Sequence, residues 1–543
     1  MFAILVLITC VLSYLAYRFY GNFLSKRCGL DDNRKTPAHE LEDGVDYVPT
    51  RSSIVFGHHF SSIAGTGPIV GPILAALFFG WGPAWIWIVL GSIFIGGVHD
   101  FGSTLMSIRN KGRSIAQTSC DLVGQTTGRI FIIFVLCALV YVLVVFIDLT
   151  ANTFTRSPIV ASASGWFVFV AIAFGFVAAR TKLSFKASIF IFVPLTSAGL
   201  IVGEALPSPE LSKDTWLIIV MAYAVIAAVM PVNMLLQPRD FLSSFFLYAL
   251  LGAGVLGILF GIPTVEGQMF TGWTSEKASP IYLMPALFIT VACGACSGFH
   301  SVVASGTTSK QLNKESDVKK IGYGSMLVEG VLATLALGTI AVLSTSDIAA
   351  LKSADPISIF AAGFSKILSP FGVGASFAEN FAFLAISTFL LTTLDTCTRL
   401  CRFLIEELFG WRNASSRYIG TALVMVIPAY FVFQTFDGQP AWKATWPLFG
   451  STNQLLAALA LITFTVFLRK NNIKSGFALI PALIMLLMPL SALFLMAKDN
   501  GIYNLIGGTS FVMLLLGIFV SWSSFRILFG PQKATNTSSE SSN

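Results

Sequence analysis

Charge is what this chain has least of. Asp, Glu, Lys and Arg make up 11% of its 543 residues, against about 25% in a soluble globular protein. That shortage excludes a soluble protein of this size. Cysteine is sparse too: there are eight, most of them inside apolar runs. Cys293 and Cys296 form a single C-x-x-C with no second pair, which reads as core packing rather than a metal or redox centre. The sequence has no Walker loop and no stretch long enough for a nucleotide-binding domain, which argues against ATP-driven work. The first apolar run lacks a basic leader and a small-residue cleavage site, so it is expected to stay as a span.

What the chain has in abundance is apolar runs of about twenty residues, the length that crosses a bilayer as a helix. It is therefore expected to be an all-α polytopic membrane protein. About fifteen transmembrane helices are expected: 2–20, 54–79, 83–106, 129–148, 160–179, 185–203, 215–236, 243–261, 281–301, 321–345, 376–396, 418–436, 446–468, 475–497 and 505–528. Basic residues test the count, because they gather on the cytoplasmic side. With the N-terminus outside and the C-terminus cytoplasmic, only Arg156, Lys213, Lys277, Lys352, Lys366, Lys443 and Lys498 face outward. All the other Lys and Arg, of 34 in total, face inward. The net charge of +7 thus reports orientation and not a nucleic-acid partner. Trp81, Trp85, Trp166, Trp216, Trp273, Trp442 and Trp446 fall near outer ends and suit an interfacial belt.

Four regions follow. Residues 1–53 hold one span and a cytoplasmic loop that is expected to form a short surface helix. Residues 54–396 form the core, with IFAAGFSKI as an interfacial or re-entrant piece. Residues 397–528 add further spans, and 529–543 form a disordered tail.

The stretch GHHFSSIAGTGPIVGP, from Gly57 to Pro72, is unlike an ordinary buried helix. Pro68 and Pro72 lack donors, and Gly65, Gly67 and Gly71 add freedom, so non-helical backbone is expected around 65–72. Such backbone is tolerated inside a membrane only where protein or a water-filled cavity surrounds it. Secondary transporters use it to hold substrate and ions near the midplane. Two inverted repeats of five spans would pair the second span with the seventh, where Pro231 and Asn233 offer an interruption. ACGACSGFHSVVASGTTS in the ninth span offers another.

Ionisable residues inside spans are functional candidates because burying them is costly. His58, His59, Asp100, His300 and Glu329 are the candidates for proton coupling. Asp395 has a plain structural reading, pairing with Arg399 four residues on. Ser61, Ser62, Gly65, Thr66 and Gly67 are the candidates for holding a substrate carboxylate on freed N–H groups and hydroxyls. Ala64, Ser301 and Ser305 could bind sodium. Four histidines and Asp100 at one depth could in principle hold a metal. But neighbouring rings at 58 and 59 point apart, and no H-E-x-x-H is present, so neither a metal nor a cofactor is expected. Ser301 beside His300 makes no nucleophile–base pair without geometry, and an enzyme is not expected.

The same stretches carry a family resemblance. GHHFSSIAGTGPIVGPILAALFFGWGPAWIW, GGVHDFGSTLMSIRNKG, SGFHSVVASGTTSKQLNKESD, IGYGSMLVEG and WPLFGSTNQLLAALAL resemble the carbon starvation protein family, CstA, over about residues 52–461. The resemblance implies an inner-membrane permease. It also implies a core like that of the amino acid–polyamine–organocation transporters, with a five-plus-five inverted repeat. Members of the family are linked to peptide uptake during carbon starvation, and close relatives are pyruvate–proton symporters. The expected activity is therefore secondary uptake of pyruvate or a short peptide, coupled to protons. A sodium-coupled symporter, a channel and a sensor without flux are the alternatives. Lipid is the expected surrounding partner.

Overall fold

The computed structural model describes residues 2–530 except 45, 181–184, 207–208, 231–233, 276–280, 352–354, 412–414 and 437. Pro231, Asn233, Lys277, Lys352 and residues 531–543 of the tail lie outside the described residues. The principal helices, in chain order, begin with α1 (Phe2–Cys28), α2 (Ser52–Ile63), α3 (Gly67–Phe79), α4 (Trp81–Arg109) and α5 (Gln125–Arg156). Next are α6 (Pro158–Val177), α7 (Ala187–Ser197), α8 (Gly199–Ala205), α9 (Lys213–Val229) and α10 (Leu236–Gly261). The central elements are α11 (Leu283–Thr290), α12 (Gly298–Gly306), α13 (Lys319–Ala341), α14 (Pro356–Leu368) and α15 (Ala375–Phe409). The chain continues through α16 (Ser416–Phe431), α17 (Ala441–Lys470), α18 (Gly476–Asn500) and α19 (Leu505–Phe529).

Ten of these helices are long and apolar enough to cross a membrane, or up to twelve if the bent pairs α2–α3 and α7–α8 each count as one. The fifteen expected segments include three that fall short: α9 with 17 residues, α16 with 16, and the α11–α12 pair, split into 8 and 9. The re-entrant piece expected around IFAAGFSKI is the 13-residue helix α14, capped by Asp355, whose side chain accepts from Ile357 N–H and Ser358 N–H. The surface helix expected in the N-terminal loop is one turn, Pro37–Glu40.

Burial sorts the helices into shells. The most apolar windows of α13 and α17 are 94% and 100% buried, whereas those of α1, α18 and α19 are 28%, 33% and 39% buried. The inner set therefore packs on protein and the outer set turns Leu, Ile and Phe outward, as lipid contact demands. The two longest helices, α5 and α15, lie along each other. The half-helix α2 packs between α10 and α15, and α12 packs between α4 and α17. Several tryptophans expected as anchors are instead interior: Trp81, Trp216, Trp442 and Trp446 are all buried, while Trp273 is exposed.

One face of the bundle carries Gly80, Ser157 and Trp442. The opposite face carries the loops around Gly112 and Glu315. On that face residues 29–44 and 46–51 form a strap over both loops. Val48 N–H and Thr50 N–H donate to the carbonyls of Lys310 and Gln311. Buried Glu315 accepts from Arg109 Nε at 2.7 Å, Asp31 N–H at 2.7 Å and Arg34 Nη1 at 3.3 Å. Hydrogen bonds to charged groups are among the stronger ones, so this acid ties the strap to α4 and to the loop that follows α12.

Candidate functional site

Two helices lose their regular backbone inside the bundle. The first break is short. Helix α2 ends at Ile63, and Ala64 (φ −77°, ψ 50°) leaves helical geometry. Helix α3 resumes at Gly67, 40° off the first half. Pro68 sits in the first turn of α3, where no N–H partner is needed. The break is thus residues 64–66 rather than 65–72, and Pro72 lies inside a continuing helix. Its walls are close. A Cβ on Gly67 would lie 2.4 Å from Cys293 Sγ, and one on Gly71 would lie 2.4 Å from the Thr290 carbonyl oxygen.

The second break runs over residues 291–297, between α11 and α12, and is stitched by side chains. Trp87 Nε1–H donates to the Val291 carbonyl at 3.2 Å, and Gln454 Nε2–H donates to the Cys296 carbonyl at 3.0 Å. Asn453 Oδ1 accepts from Phe299 N–H at 2.8 Å, capping α12, and Asn453 Nδ2–H donates to Ser297 Oγ at 3.0 Å. The amides of the STNQLL segment of α17 therefore supply what the backbone has lost. Unpaired backbone groups cost several kcal/mol each in a membrane interior, which explains two adjacent amides in an apolar helix.

One turn beyond this break, His300 joins a buried group drawn from three helices. His300 Nδ1 lies 2.8 Å from Asp100 Oδ2, and His99 Nδ1 lies 2.7 Å from Asp100 Oδ1. An ionised carboxylate only accepts, so both Nδ1 atoms carry hydrogen. His300 Nε2 then faces Glu329 Oε2 at 3.3 Å, with all three side chains at 0% exposure. The spacing is an ion-pair distance without hydrogen-bond geometry, and both Glu329 oxygens lack a hydrogen-bond partner. The contact is favourable only if one proton lies between the two groups, on the imidazole or on the carboxyl.

The remaining histidines separate. His58 Nδ1 lies 2.8 Å from Asp240 Oδ2 on α10, while His59 Nδ1 lies 2.8 Å from Thr308 Oγ1. His300 lies past the second break, in the C-terminal half of its broken span, which continues to Gly306. Of the substrate candidates, Ser61 Oγ–H donates to the Asp240 carbonyl and Ser62 Oγ–H to the His58 carbonyl, while buried Thr66 Oγ lacks a partner. Gly65 packs on Thr393 and Phe146. Of the sodium candidates, Ala64 stands in the first break. The Ser301 hydroxyl donates to the Gly298 carbonyl, and the Ser305 hydroxyl donates to the Ser301 carbonyl while accepting from Ile115 N–H. Ser301 Oγ is thus not paired to His300. Among the described residues no group of three or more His, Cys, Asp or Glu is arranged to hold a metal ion.

Two cavities flank the breaks. A vestibule of about 1120 Å³ opens on the Trp442 face and reaches Ile289 and Thr290, at the lip of the second break. Arg156, Lys213, Lys443 and Lys498 line it. Arg156 pairs with Asp355, and Lys213 with Asp148 at 2.5 Å. A smaller cavity of about 510 Å³ on the opposite face is lined by Val302, Ser305 and Gly306 of α12 together with Lys310. Residues 61–67 line neither of these two and are all buried.

Sequence reasoning missed Arg239, Asp240 and Tyr223, and it mispaired Asp395. Asp395 meets Arg239, not Arg399. The Arg399 guanidinium turns to the carbonyls of Ala227 and Met230 at the end of α9. Arg239 and Asp240 stand in QPRD, a polar run at the start of an apolar helix. That was the available signal.

Discontinuous helices crossing inside a bundle, with cavities on both faces and buried titratable groups beside the breaks, define a secondary transporter. Solved structures agree on the fold. The manganese transporter of Eremococcus coleocola superposes with a TM-score of 0.56 at 13% identity, covering 90% of this chain and 99% of that one. The chain is 32% identical to the peptide transporter CstA of Campylobacter jejuni, over 90% of this chain and 79% of that protein. It is 29% identical to the pyruvate/proton symporter BtsT of Escherichia coli, over 86% and 78%. Residues 1–358 and 345–492 match the family described as carbon starvation protein CstA. The chain belongs to that family.

Proposed function

We propose that this protein imports a small carboxylate-bearing nutrient, pyruvate or a short peptide, across the inner membrane together with protons. The observation that carries this is the His300–Glu329 contact, which needs one proton between two fully buried side chains. Loading the pair with that proton leaves the buried group with one net negative charge, and losing it leaves two, on Asp100 and Glu329, in mutual repulsion. His99 orients Asp100 and so holds His300 in place. Substrate carboxylate binds at the first break, on N–H groups near Gly65 and Gly67 and on the hydroxyls of Ser61, Ser62 and Thr66. Because that pocket is filled by Cys293, Thr393 and Phe146 here, binding accompanies movement of α3 away from α11. The relatives named above, one for peptides and one for pyruvate with protons, support both substrate classes.

The helix lengths support two five-helix repeats, paired differently from the sequence scheme. Broken α2–α3, then α4, α5, α9 and α10, have 12 and 13, 29, 32, 17 and 26 residues. Broken α11–α12, then α13, α15, α16 and α17, have 8 and 9, 23, 35, 16 and 30. Each set opens on a broken helix, has its longest helix third and its shortest unbroken helix fourth. The second expected span thus pairs with the ninth, and α6–α8 are an insertion. The core then runs from Ser52 to Lys470, beyond residue 396. The N-terminus lies outside, the C-terminus is cytoplasmic, and the vestibule faces out.

Proteoliposomes with an imposed inward proton gradient test the proposal. Labelled pyruvate or labelled dialanine accumulates, and accumulation persists when choline replaces sodium. Failure of both substrates overturns the proposal. A sodium requirement would move the coupling ion to Ala64, Ser301 and Ser305.

A further inference from the structure

A second buried network lies outside the Asp100–His300–Glu329 group, and the transport mechanism above leaves it unused. It links four helices. His58 Nδ1 of α2 lies 2.8 Å from Asp240 Oδ2 of α10, and Arg239 Nη2 donates to Asp240 Oδ1 at 3.1 Å. Arg239 also meets Asp395 of α15 and the Tyr223 hydroxyl of α9, and Tyr223 donates to Asp395 Oδ2 at 2.9 Å. The side chains of His58, Arg239, Asp240 and Asp395 are at most 1% exposed.

Its charge does not close. A guanidinium stays protonated in proteins, so one fixed cation faces two carboxylates. An uncompensated buried carboxylate is expensive. The Nδ1 hydrogen of His58 is committed to Asp240, and its Nε2 is buried without a partner. A proton on that atom would bring the hydrogen-bonded network to neutrality. The charged neighbours are engaged elsewhere. Arg399, one turn along α15, gives its hydrogen bonds to carbonyls of α9 and reaches Asp395 only through space. Lys320 of α13 binds the Ser52 hydroxyl, and His59 turns to Thr308. Tyr248 of α10 is neutral and packs on Phe60.

We propose that His58, held by Asp240, Arg239 and Asp395, is a second proton site, so that each cycle carries two protons: one on His58 and one on the His300–Glu329 pair. This rests on the proton-coupled reading above. With His58 charged, α2 is clamped to α10 and α15. With His58 neutral, the clamp holds an excess negative charge and loosens, so the half-helix before the first break is freed when the proton leaves.

The test is the balance point of transport in proteoliposomes at zero membrane potential, with labelled pyruvate and labelled dialanine as probes. Two protons per substrate balance a tenfold substrate gradient with about half a pH unit, whereas one proton needs about a whole unit. Wild type is expected near half a unit. His58→Gln is expected near a whole unit, and so is Asp395→Asn, which keeps the shape of the network and removes its surplus charge. A merely structural role would change rates but not the balance point. Wild type balancing near a whole unit overturns the second site and leaves the first intact. A balance point insensitive to pH overturns the proton-coupled reading itself. pH-difference infrared spectra of the lipid-embedded protein need no substrate: the imidazolium signal should shrink in His58→Gln. Identical spectra for wild type and His58→Gln overturn the second site whatever the transport result.

Discussion

The two broken helices solve the same backbone problem in opposite ways. The first break is three residues long and is closed by proximity: Cys293, Thr393, Phe146 and the Thr290 carbonyl fill the space that glycines leave. The second is seven residues long and is held by side-chain amides and an indole, from Gln454, Asn453 and Trp87. A break closed by packing can open by translation once the hydrogen bonds that tie α2 to Asp240 and Thr308 are released. A break stitched by amides is a fixed frame. The difference assigns motion to α2–α3 and rigidity to α11–α12, with the His300 group mounted on the rigid side.

Gly71→Ala attacks the contact between the two breaks and should have the largest effect. The added Cβ meets backbone, the Thr290 carbonyl oxygen, at 2.4 Å. The half-helices α3 and α11 must part, at a cost of about 3 kcal/mol, the upper range for overpacking. Thermal unfolding in detergent should show a large drop, and no side-chain change at residue 290 should restore it. Asn453→Ala comes next. It leaves Phe299 N–H buried and unpaired, costing about 2 kcal/mol, and it should lower stability and transport together because the frame loosens. If Asn453→Ala melts like wild type, the second break is not held by its amides. Gly67→Ala should be the mildest, about 1 kcal/mol, because its obstacle is a side chain. Adding Cys293→Gly should restore it, measured by the same unfolding curve and by uptake. Rescue at 67 but not at 71 would confirm that Gly67 abuts a side chain that substitution can remove and Gly71 a carbonyl that it cannot.

Much of this arrangement was legible in the sequence, and the failures have physical causes. Glycine and proline at 65–72 located the first break to within a few residues. They overstated its length because Pro68 fits the opening turn of α3, and Pro72 costs only one bond inside it. Glycines 294 and 298 marked the second break. The Asp100, His300 and Glu329 candidates could be named from burial cost alone, but their meeting could not, since 200 residues separate His300 from Asp100. Asp395 shows the limit most clearly. A local rule offered Arg399 four residues away, yet the partner is Arg239, 156 residues distant. Arg399 had a stronger claim on it, the open carbonyls at the end of α9. Hydropathy reads composition and not helix length, so it set α9 and α16, with 17 and 16 residues, beside the longer spans.

The central claim is that a proton on the His300–Glu329 pair drives uptake, and Glu329→Gln tests it most directly. The substitution keeps the size of the side chain and removes its charge. In proteoliposomes the variant should lose at least tenfold of its proton-driven accumulation of labelled pyruvate or dialanine. It should keep exchange of internal for external substrate, since exchange needs binding and movement but no net proton. Accumulation at the wild-type level in Glu329→Gln would contradict the account.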